Sequence, residues 1–157
     1  MALLCLLILC GLAGCGSSPY VAPHHTIAGL EDRAGEPPPV VRAALAQLDK
    51  PYRYGGHTPQ GFDCSGLVYY AYRISGQDIP RTSLGQLRSA QPIPFGELVP
   101  GDLLFFRERK KPASHVGLYV GEGRFVHAST SKQAVILSHL ANPYWKNHLM
   151  SAGRYHH

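Results

Sequence analysis

The chain has 157 residues, of which 45% are hydrophobic and 16% are charged, and its formal net charge is +5. This length suits one compact domain with some irregular chain and argues against two domains. A domain of this size can bury about 68% of its unfolded surface, so it needs neither a disulfide nor a metal to fold. The low charge content excludes general disorder. The positive surplus favours anionic surroundings, such as cell-wall polymers, membrane surfaces or nucleic acid, without choosing among them.

The first 15 residues are uncharged and mostly apolar, and they contain Cys5, Cys10 and Cys15. This run is too short to span a bilayer, but it suits the apolar region of a secretory signal. Its end, LAGC at 12–15, resembles a bacterial lipobox, which implies a signal peptide at 1–14 and a diacylated Cys15. The alternative is a fortuitous apolar start. Because Gly16 rather than Asp follows, we expect a lipoprotein of a Gram-negative outer membrane, facing the periplasm and anchored through its lipid.

Residues 15–38 follow as a tether. They are rich in Gly, Ser and Pro and show no apolar period. We therefore place the folded domain at 39–157 and expect it to be a monomer.

Three helices are predicted in the first half of this domain, followed by strands in the second half. The apolar spacing and the breakers place the helices at 40–48, at 64–75 and from 82 or 83 to about 90. Beyond Pro100 and Gly101 the period changes to 2, and strands are expected at 102–107, 115–120, 124–129, 134–139 and, more weakly, 148–155. Helices first and antiparallel strands afterwards indicate an α+β fold, with the helices packed on the sheet.

Cys64 begins the second helix, directly after Asp63, a good N-cap residue. Once the signal is removed and Cys15 is lipidated, Cys64 is the remaining thiol. Structural cysteines of exported proteins usually pair, so a single thiol indicates reactivity, although a buried inert cysteine is the alternative. The amide groups and the dipole of a helix start favour the thiolate. The sequence therefore makes Cys64 a candidate nucleophile.

A nucleophilic cysteine needs a base, which is usually a histidine. Nine histidines are present, and four of them lie in the tether or at the extreme C-terminus. The segments at 115–120 and 124–129 flank Gly-Glu-Gly, which suits a three-residue hairpin loop. A loop centred on Glu122 places His127 opposite Gly117 and makes His115 its diagonal neighbour on the same face, with Gly117 leaving room for the second ring. Two imidazoles can then meet, whereas a two-residue loop would separate them.

Several motifs now resemble those of the NlpC family of papain-like bacterial cell-wall cysteine peptidases, over about 40–155. They are PYRYGG at 51–56, DCSGLV at 63–68, IPRTS at 79–83, PGDLLFF at 100–106, HVGLYVG at 115–121 and FVHA at 125–128. NPYWK at 142–146 resembles a narrower group, the Spr-type lipoprotein murein endopeptidases.

The resemblance implies a papain-like fold and a role for each site residue. Cys64 would be the nucleophile, His115 the general base and acid, and His127 the third polar residue that orients His115. The backbone N–H of Cys64 is the natural oxyanion donor. Ser65 is a candidate helper or a spare polar residue, and Tyr52 is a candidate for the substrate side or a packed loop residue. Asp63 is interpreted as a cap rather than a catalyst.

Three other interpretations remain open. Cys64, His115 and His127 are acceptable zinc ligands, but no fourth ligand and no closely spaced ligand pair is visible, so we expect no metal and no cofactor. A wall-binding lipoprotein without turnover would not need a cysteine beside two histidines. Acyltransferases on this fold are commonly permuted, with His before Cys.

We therefore expect a peptidase acting on peptidoglycan stem peptides through an acyl-enzyme. The narrower resemblance favours the crosslink between D-alanine and meso-diaminopimelate, and the second candidate bond joins the γ-carboxyl of D-glutamate to diaminopimelate. No nucleotide loop or nucleic-acid motif is present, so no nucleic-acid partner is expected.

Overall fold

A computed structural model describes residues 35–107 and 113–155. The predicted signal peptide, Cys15 and most of the tether lie outside these described residues. The elements in chain order are α1 (Pro39–Leu45), β1 (His57–Thr58), β2 (Gly61–Phe62), α2 (Cys64–Ile74), α3 (Ser83–Ser89), β3 (Gln91–Ile93), β4 (Leu103–Phe106), β5 (His115–Gly121), β6 (Arg124–Ser129), β7 (Ala134–His139), α4 (Pro143–His148) and β8 (Leu149–Arg154). A short 3-10 turn, Phe95–Glu97, precedes β4. No helix within the described ranges is long and apolar enough to cross a membrane.

Six strands form one antiparallel sheet in the order β3-β8-β4-β5-β6-β7, and β1 and β2 form a separate hairpin. Helices α1 and α2 share one apolar core with the strand residues of one face, such as Leu103 and Phe105. Because side chains alternate along a strand, Leu104 and Phe106 point to the opposite face. There they form a second, smaller core that Trp145 of α4 covers. The predicted α+β fold of helices on an antiparallel sheet is confirmed.

Most element bounds agree with the sequence-based expectations. The first helix is shorter than predicted: it ends at Leu45, and turns follow up to Asp49, which has a positive φ of 65°. The residues around Pro92, expected only to stop the third helix, form β3 at the edge of the sheet. An edge strand tolerates proline because its outer N–H has no ladder partner. Helix α4 was not predicted, since six residues are too few to show an apolar period.

The β5–β6 hairpin corrects the predicted loop but keeps the predicted register. Leu118 pairs with Val126, as a three-residue loop would require, but Gly121 pairs with Arg124. The turn therefore contains only two residues, Glu122 and Gly123, both with positive φ (53° and 71°), as type I′ hairpin turns demand. A bulge between Tyr119 and Gly121 absorbs the extra residue. The bulge is the reason why a two-residue turn does not send the two histidines to opposite faces.

Candidate active site

Cys64 is the first residue of α2 and is partly buried against the main core. Asp63 is the N-cap, as predicted, and its carboxylate accepts a hydrogen bond from the N–H of Gly66 at 2.6 Å. The helix ends as predicted as well, with Gly76 at a positive φ of 86°. Cys64 therefore stands at the helix end where unpaired amides and the positive end of the helix dipole favour a thiolate.

Arg81 fixes this helix start and was not singled out from the sequence. Its guanidinium makes two parallel bonds to the Asp63 carboxylate, at 2.9 and 2.8 Å, the fork geometry that makes such pairs specific. It also donates to the hydroxyl of Ser65 and to the carbonyl of Gly56, each at 3.0 Å. The Ser65 hydroxyl in turn donates to Asp63 at 3.2 Å. The hydroxyl of Ser65 thus belongs to this network, and a direct role for it on the substrate stays a prediction.

The glycine-rich loop lies directly against the start of α2. A Cβ on Gly66 would overlap the carbonyl oxygen of Gly56. That carbonyl accepts from the N–H of Asp63 at 3.0 Å. The close approach of two backbones requires glycine at position 66 and sets the loop that carries Tyr52 beside the cysteine.

His115 and His127 meet on one face of the sheet, as the hairpin argument predicts. Nε2 of His115 lies 2.8 Å from Nδ1 of His127, and their rings are nearly perpendicular, at 86°. Both side chains are buried, with 4% and 1% of their surface exposed. One detail of the prediction is wrong: the space above Gly117 holds the ring of Phe125, because a Cβ at 117 would lie 2.6 Å from that ring.

Burial decides the charge of His127. Desolvation, and then the nearby His115, lower the pKa of His127 from 6.5 to about 2. Its imidazole is therefore neutral at physiological pH. Its Nε2 lies 3.0 Å from the hydroxyl oxygen of Ser138 on β7. If Ser138 accepts from Nε2–H, Nδ1 of His127 is an acceptor that can receive a hydrogen bond from Nε2–H of His115.

Trp145 closes the histidine pair from the side of α4. Its indole stacks on His115, with ring centroids 5.5 Å apart and an angle of 25°, and meets His127 edge-on at 4.8 Å. Neither Trp145 nor Ser138 was identified from the sequence as a partner of the histidines. Ile136 pairs with His127, so alternation could have placed Ser138 on the same face of β7. Trp145 belongs to the NPYWK motif at 142–146, but that motif did not indicate a position beside the histidines.

Two cavities meet at His115. The first, about 700 Å³, contains both Cys64 and His115 together with Tyr52, and is called the cysteine cleft here. Its other lining residues are Tyr54, Gly55, Asp63, Ser65, Arg81, Thr82, Ser83, Ser114 and Thr130. The second, about 410 Å³, is lined by His115, His127 and Trp145 but not by Cys64, and is called the rear cavity. Thr130 borders both cavities, so they adjoin at His115 and Thr130.

The remaining histidines of the described part of the chain line neither cavity. His57 is on β1, His139 ends β7 and His148 ends α4. Within residues 35–107 and 113–155, no group of three or more His, Cys, Asp or Glu side chains is arranged to hold a metal ion. The site thus offers a thiol and an imidazole that share one cleft, and a second, neutral imidazole bonded to the first. These groups suit nucleophilic attack on a carbonyl carbon.

Comparison with known proteins identifies the family of the chain. The NlpC/P60 family matches residues 49–154. Murein DD-endopeptidase MepH of Escherichia coli is 46% identical over 115 residues, which cover 70% of this chain and 42% of that protein. Murein DD-endopeptidase MepS/Murein LD-carboxypeptidase of the same species is 41% identical over 104 residues, covering 66% and 54%. The chain thus spans about half the length of these relatives.

Solved structures show the same fold. The crystal structure of an NlpC/P60 family protein from Bacillus cereus superimposes with a TM-score of 0.70 at 31% identity. The match covers 74% of this chain and 39% of that chain.

Proposed function

Since the chain belongs to the NlpC/P60 family, we propose that it is a cysteine peptidase that cuts the peptidoglycan crosslink between D-alanine and meso-diaminopimelate. The names of two relatives, both murein DD-endopeptidases, support this choice of bond. The observation that carries the proposal is the cysteine cleft, in which Cys64 at a helix start and a histidine backed by a second histidine share one cavity. A protein that only bound the wall would not need this combination.

The proposed reaction has two steps. In each step His115 first accepts one proton and then donates it. In the first, His115 takes the proton of the Cys64 thiol, and the thiolate attacks the carbonyl carbon of D-alanine. Nδ1 of His115 is the nitrogen for this task, because Nε2 is engaged with His127. The backbone N–H of Cys64 stabilises the oxyanion. His115 then protonates the nitrogen of diaminopimelate, the C–N bond breaks, and a thioester remains on Cys64.

In the second step, water replaces the amine. His115 removes a proton from the water, and the hydroxide attacks the thioester carbonyl. The C–S bond breaks, the proton held by His115 returns to the sulfur, and the donor stem peptide leaves with D-alanine at its end as a carboxylic acid, which then loses its proton to solvent. The cleft thereby regains its starting state.

His127 supports both steps without taking the proton. Its lowered pKa keeps it neutral, so it accepts a hydrogen bond from His115 and does not repel the imidazolium that forms there. Ser138 and Trp145 hold its ring and the ring of His115 in place. We assign His127 the role of a positioning residue, which fixes the tautomer and the orientation of the base.

The test is mass spectrometry of the products released from purified sacculi and from crosslinked muropeptide dimers. We expect dimers to become monomers that end in D-alanine, and Cys64→Ala to abolish the reaction. Iodoacetamide should inactivate the protein by alkylating Cys64, and EDTA should not. His139→Ala is the matched control, because His139 lines neither cavity.

Two results would overturn the proposal. Products cut between D-glutamate and diaminopimelate would replace the proposed bond with the alternative one. Loss of activity with chelator, restored by zinc, would replace the thiol mechanism with a metal mechanism.

We also propose that Cys15 carries a lipid anchor that holds a monomeric peptidase domain at the outer membrane, facing the periplasm. The lipobox-like LAGC at 12–15 and the following Gly16 support this proposal. Cys15→Ala should move the protein from the membrane fraction to the soluble fraction while its activity on sacculi persists. Cys10→Ala is the matched control, because Cys10 lies inside the segment that cleavage removes. Retention of Cys15→Ala in the membrane fraction would contradict the anchor.

A further inference from the structure

We infer that the rear cavity is a subsite for a free carboxylate of the leaving half of the substrate, placed next to the amine that the reaction releases. The inference rests on the proposed function and adds to it the feature of the protein that selects the scissile bond. It combines three observations: the side of His115 on which the cavity lies, the chemistry of its wall, and the rigidity of the turn that carries its lysine.

The first observation is the position of the cavity relative to the reacting atoms. The acyl half of the substrate becomes bonded to Cys64 and therefore stays in the cysteine cleft. The leaving nitrogen must lie beside His115, because His115 gives it a proton. The rear cavity is lined by His115 and not by Cys64. Because the two cavities adjoin at His115 and Thr130, the part of the substrate that follows the leaving nitrogen can extend past His115 into the rear cavity.

The second observation is the chemistry of the wall. Lys132 is the charged residue among the described residues that line the rear cavity, and none of them is acidic. His127 adds no positive charge, because its pKa is lowered to about 2. Three residues that carry hydroxyl groups, Ser129, Thr130 and Ser131, line the same cavity. A cation with neighbouring hydroxyl donors suits a carboxylate.

The third observation is the way the β6–β7 turn holds Lys132. Its backbone N–H donates to the hydroxyl of Ser129 at 3.2 Å, and Ser129 is buried. The same hydroxyl lies 3.1 Å from that of Ser131. The carbonyl of Gln133, the next residue, accepts from the N–H of Tyr52 at 2.9 Å. The turn is therefore fixed both to β6 and to the loop of the cysteine cleft, so the backbone from which the Lys132 side chain extends has a fixed position beside the rear cavity.

These features separate the two candidate bonds. In the crosslink between D-alanine and diaminopimelate, the carbon that bears the leaving nitrogen also bears a free carboxylate. In the bond from D-glutamate to diaminopimelate, the corresponding carboxyl is joined to D-alanine as an amide and carries no charge. A site that requires a carboxylate beside the leaving amine thus favours the crosslink.

The test compares two crosslinked dimers that differ in one group. In one dimer the carboxylate next to the scissile nitrogen is free, and in the other it is converted to the amide. We expect kcat/KM of the purified protein to be about fivefold higher for the dimer with the free carboxylate. This factor corresponds to one exposed ion pair worth about 1 kcal/mol. The difference should arise mainly in KM and should shrink at high salt.

Variants locate the source of this preference. Lys132→Gln should reduce the ratio of kcat/KM values from about five to about one, and Lys132→Arg should restore it, since arginine also pairs with carboxylates. Lys146→Gln is the control for net charge, because Lys146 is exposed on α4 and does not line the cavity. It should keep the wild-type ratio.

The outcomes distinguish this inference from the proposed function. Equal kcat/KM for both dimers in the wild type, or a ratio that Lys132→Gln leaves unchanged, overturns the carboxylate subsite while the endopeptidase stands. A loss of preference in Lys146→Gln as large as in Lys132→Gln overturns it too, since net charge would then be the cause. Failure of the wild type to cut either dimer overturns both the function and the subsite.

Discussion

The buried imidazole of His127 should make the folded domain sensitive to acid. Its pKa is lowered from 6.5 to about 2, first by desolvation and then by His115. Below 6.5 the unfolded chain therefore binds a proton at this residue that the folded chain does not bind. The contribution of His127 to the free energy of unfolding is fully present above pH 6.5 and is lost as the pH falls towards 2.

The expected size follows from this interval. Each pH unit below the unfolded pKa and above the folded one removes about 1.4 kcal/mol of stability. Between about pH 7.5 and about pH 4.5, the interval below the unfolded pKa is about two units, so His127 alone accounts for a loss of about 3 kcal/mol. The expected loss of stability depends little on the pKa of His127 in the folded chain, provided that this pKa lies below the lower of the two pH values.

Urea unfolding at these two pH values, in the wild type and in His127→Asn, measures this loss. Asparagine keeps a hydrogen-bonding side chain but does not titrate. We expect the drop in unfolding free energy to be about 3 kcal/mol smaller in the variant than in the wild type. His139→Asn removes an exposed imidazole on β7 and should keep the wild-type drop. Equal drops in the wild type and His127→Asn would refute the assignment of a buried neutral histidine.

Three further predictions concern the histidine face of the sheet. His115→Ala should nearly abolish muropeptide release from sacculi, and near wild-type rates in this variant would refute the role of His115 as base. His127→Gln should keep part of the rate of release, and His127→Ala should lose more of it. Ser138→Ala should lower kcat about fivefold, because the variant loses one hydrogen bond worth about 1 kcal/mol, and Ser138→Thr should restore kcat. An unchanged kcat in Ser138→Ala would show that Ser138 does not position His127. Gly117→Ala should lower the free energy of unfolding in urea by about 1–3 kcal/mol, because the new methyl group meets the ring of Phe125; wild-type stability would mean that the ring moves aside freely.

The parts of the site that local rules govern could be predicted from the sequence. Asp63 caps α2 because a short acceptor before a helix satisfies its first amides, and this rule places Cys64 in the first turn. The pairing of His115 with His127 follows from the two-residue period of strands. The loop length did not need to be correct, because the bulge restored the register. The candidate catalytic residues themselves stay a prediction that the proposed experiments test.

Other parts depend on contacts between distant segments, which no local period encodes. Arg81 reaches Asp63 across 18 positions, and the fork between them exists only once α2 and the following loop have packed. Trp145 lies on a six-residue helix and reaches the histidines because α4 folds back over the sheet. The rear cavity, finally, arises from two hairpins and α4 together. A sequence pattern can suggest residue types for such sites but not their meeting point.

The strand order has a consequence for the folding of the domain. Strand β8 lies between β3 and β4, although its residues follow those strands by about 45 positions or more. Until residues 149–154 are available, β3 has no neighbour and the buried Asp102 has no Arg154 to pair with. Such a distant closure makes folding slow and nearly all-or-none, because the entropy of the long loop is lost before its contacts form. If the proposed peptidase needs the complete sheet, we expect it to acquire its activity only after β8, the last described strand, enters the sheet.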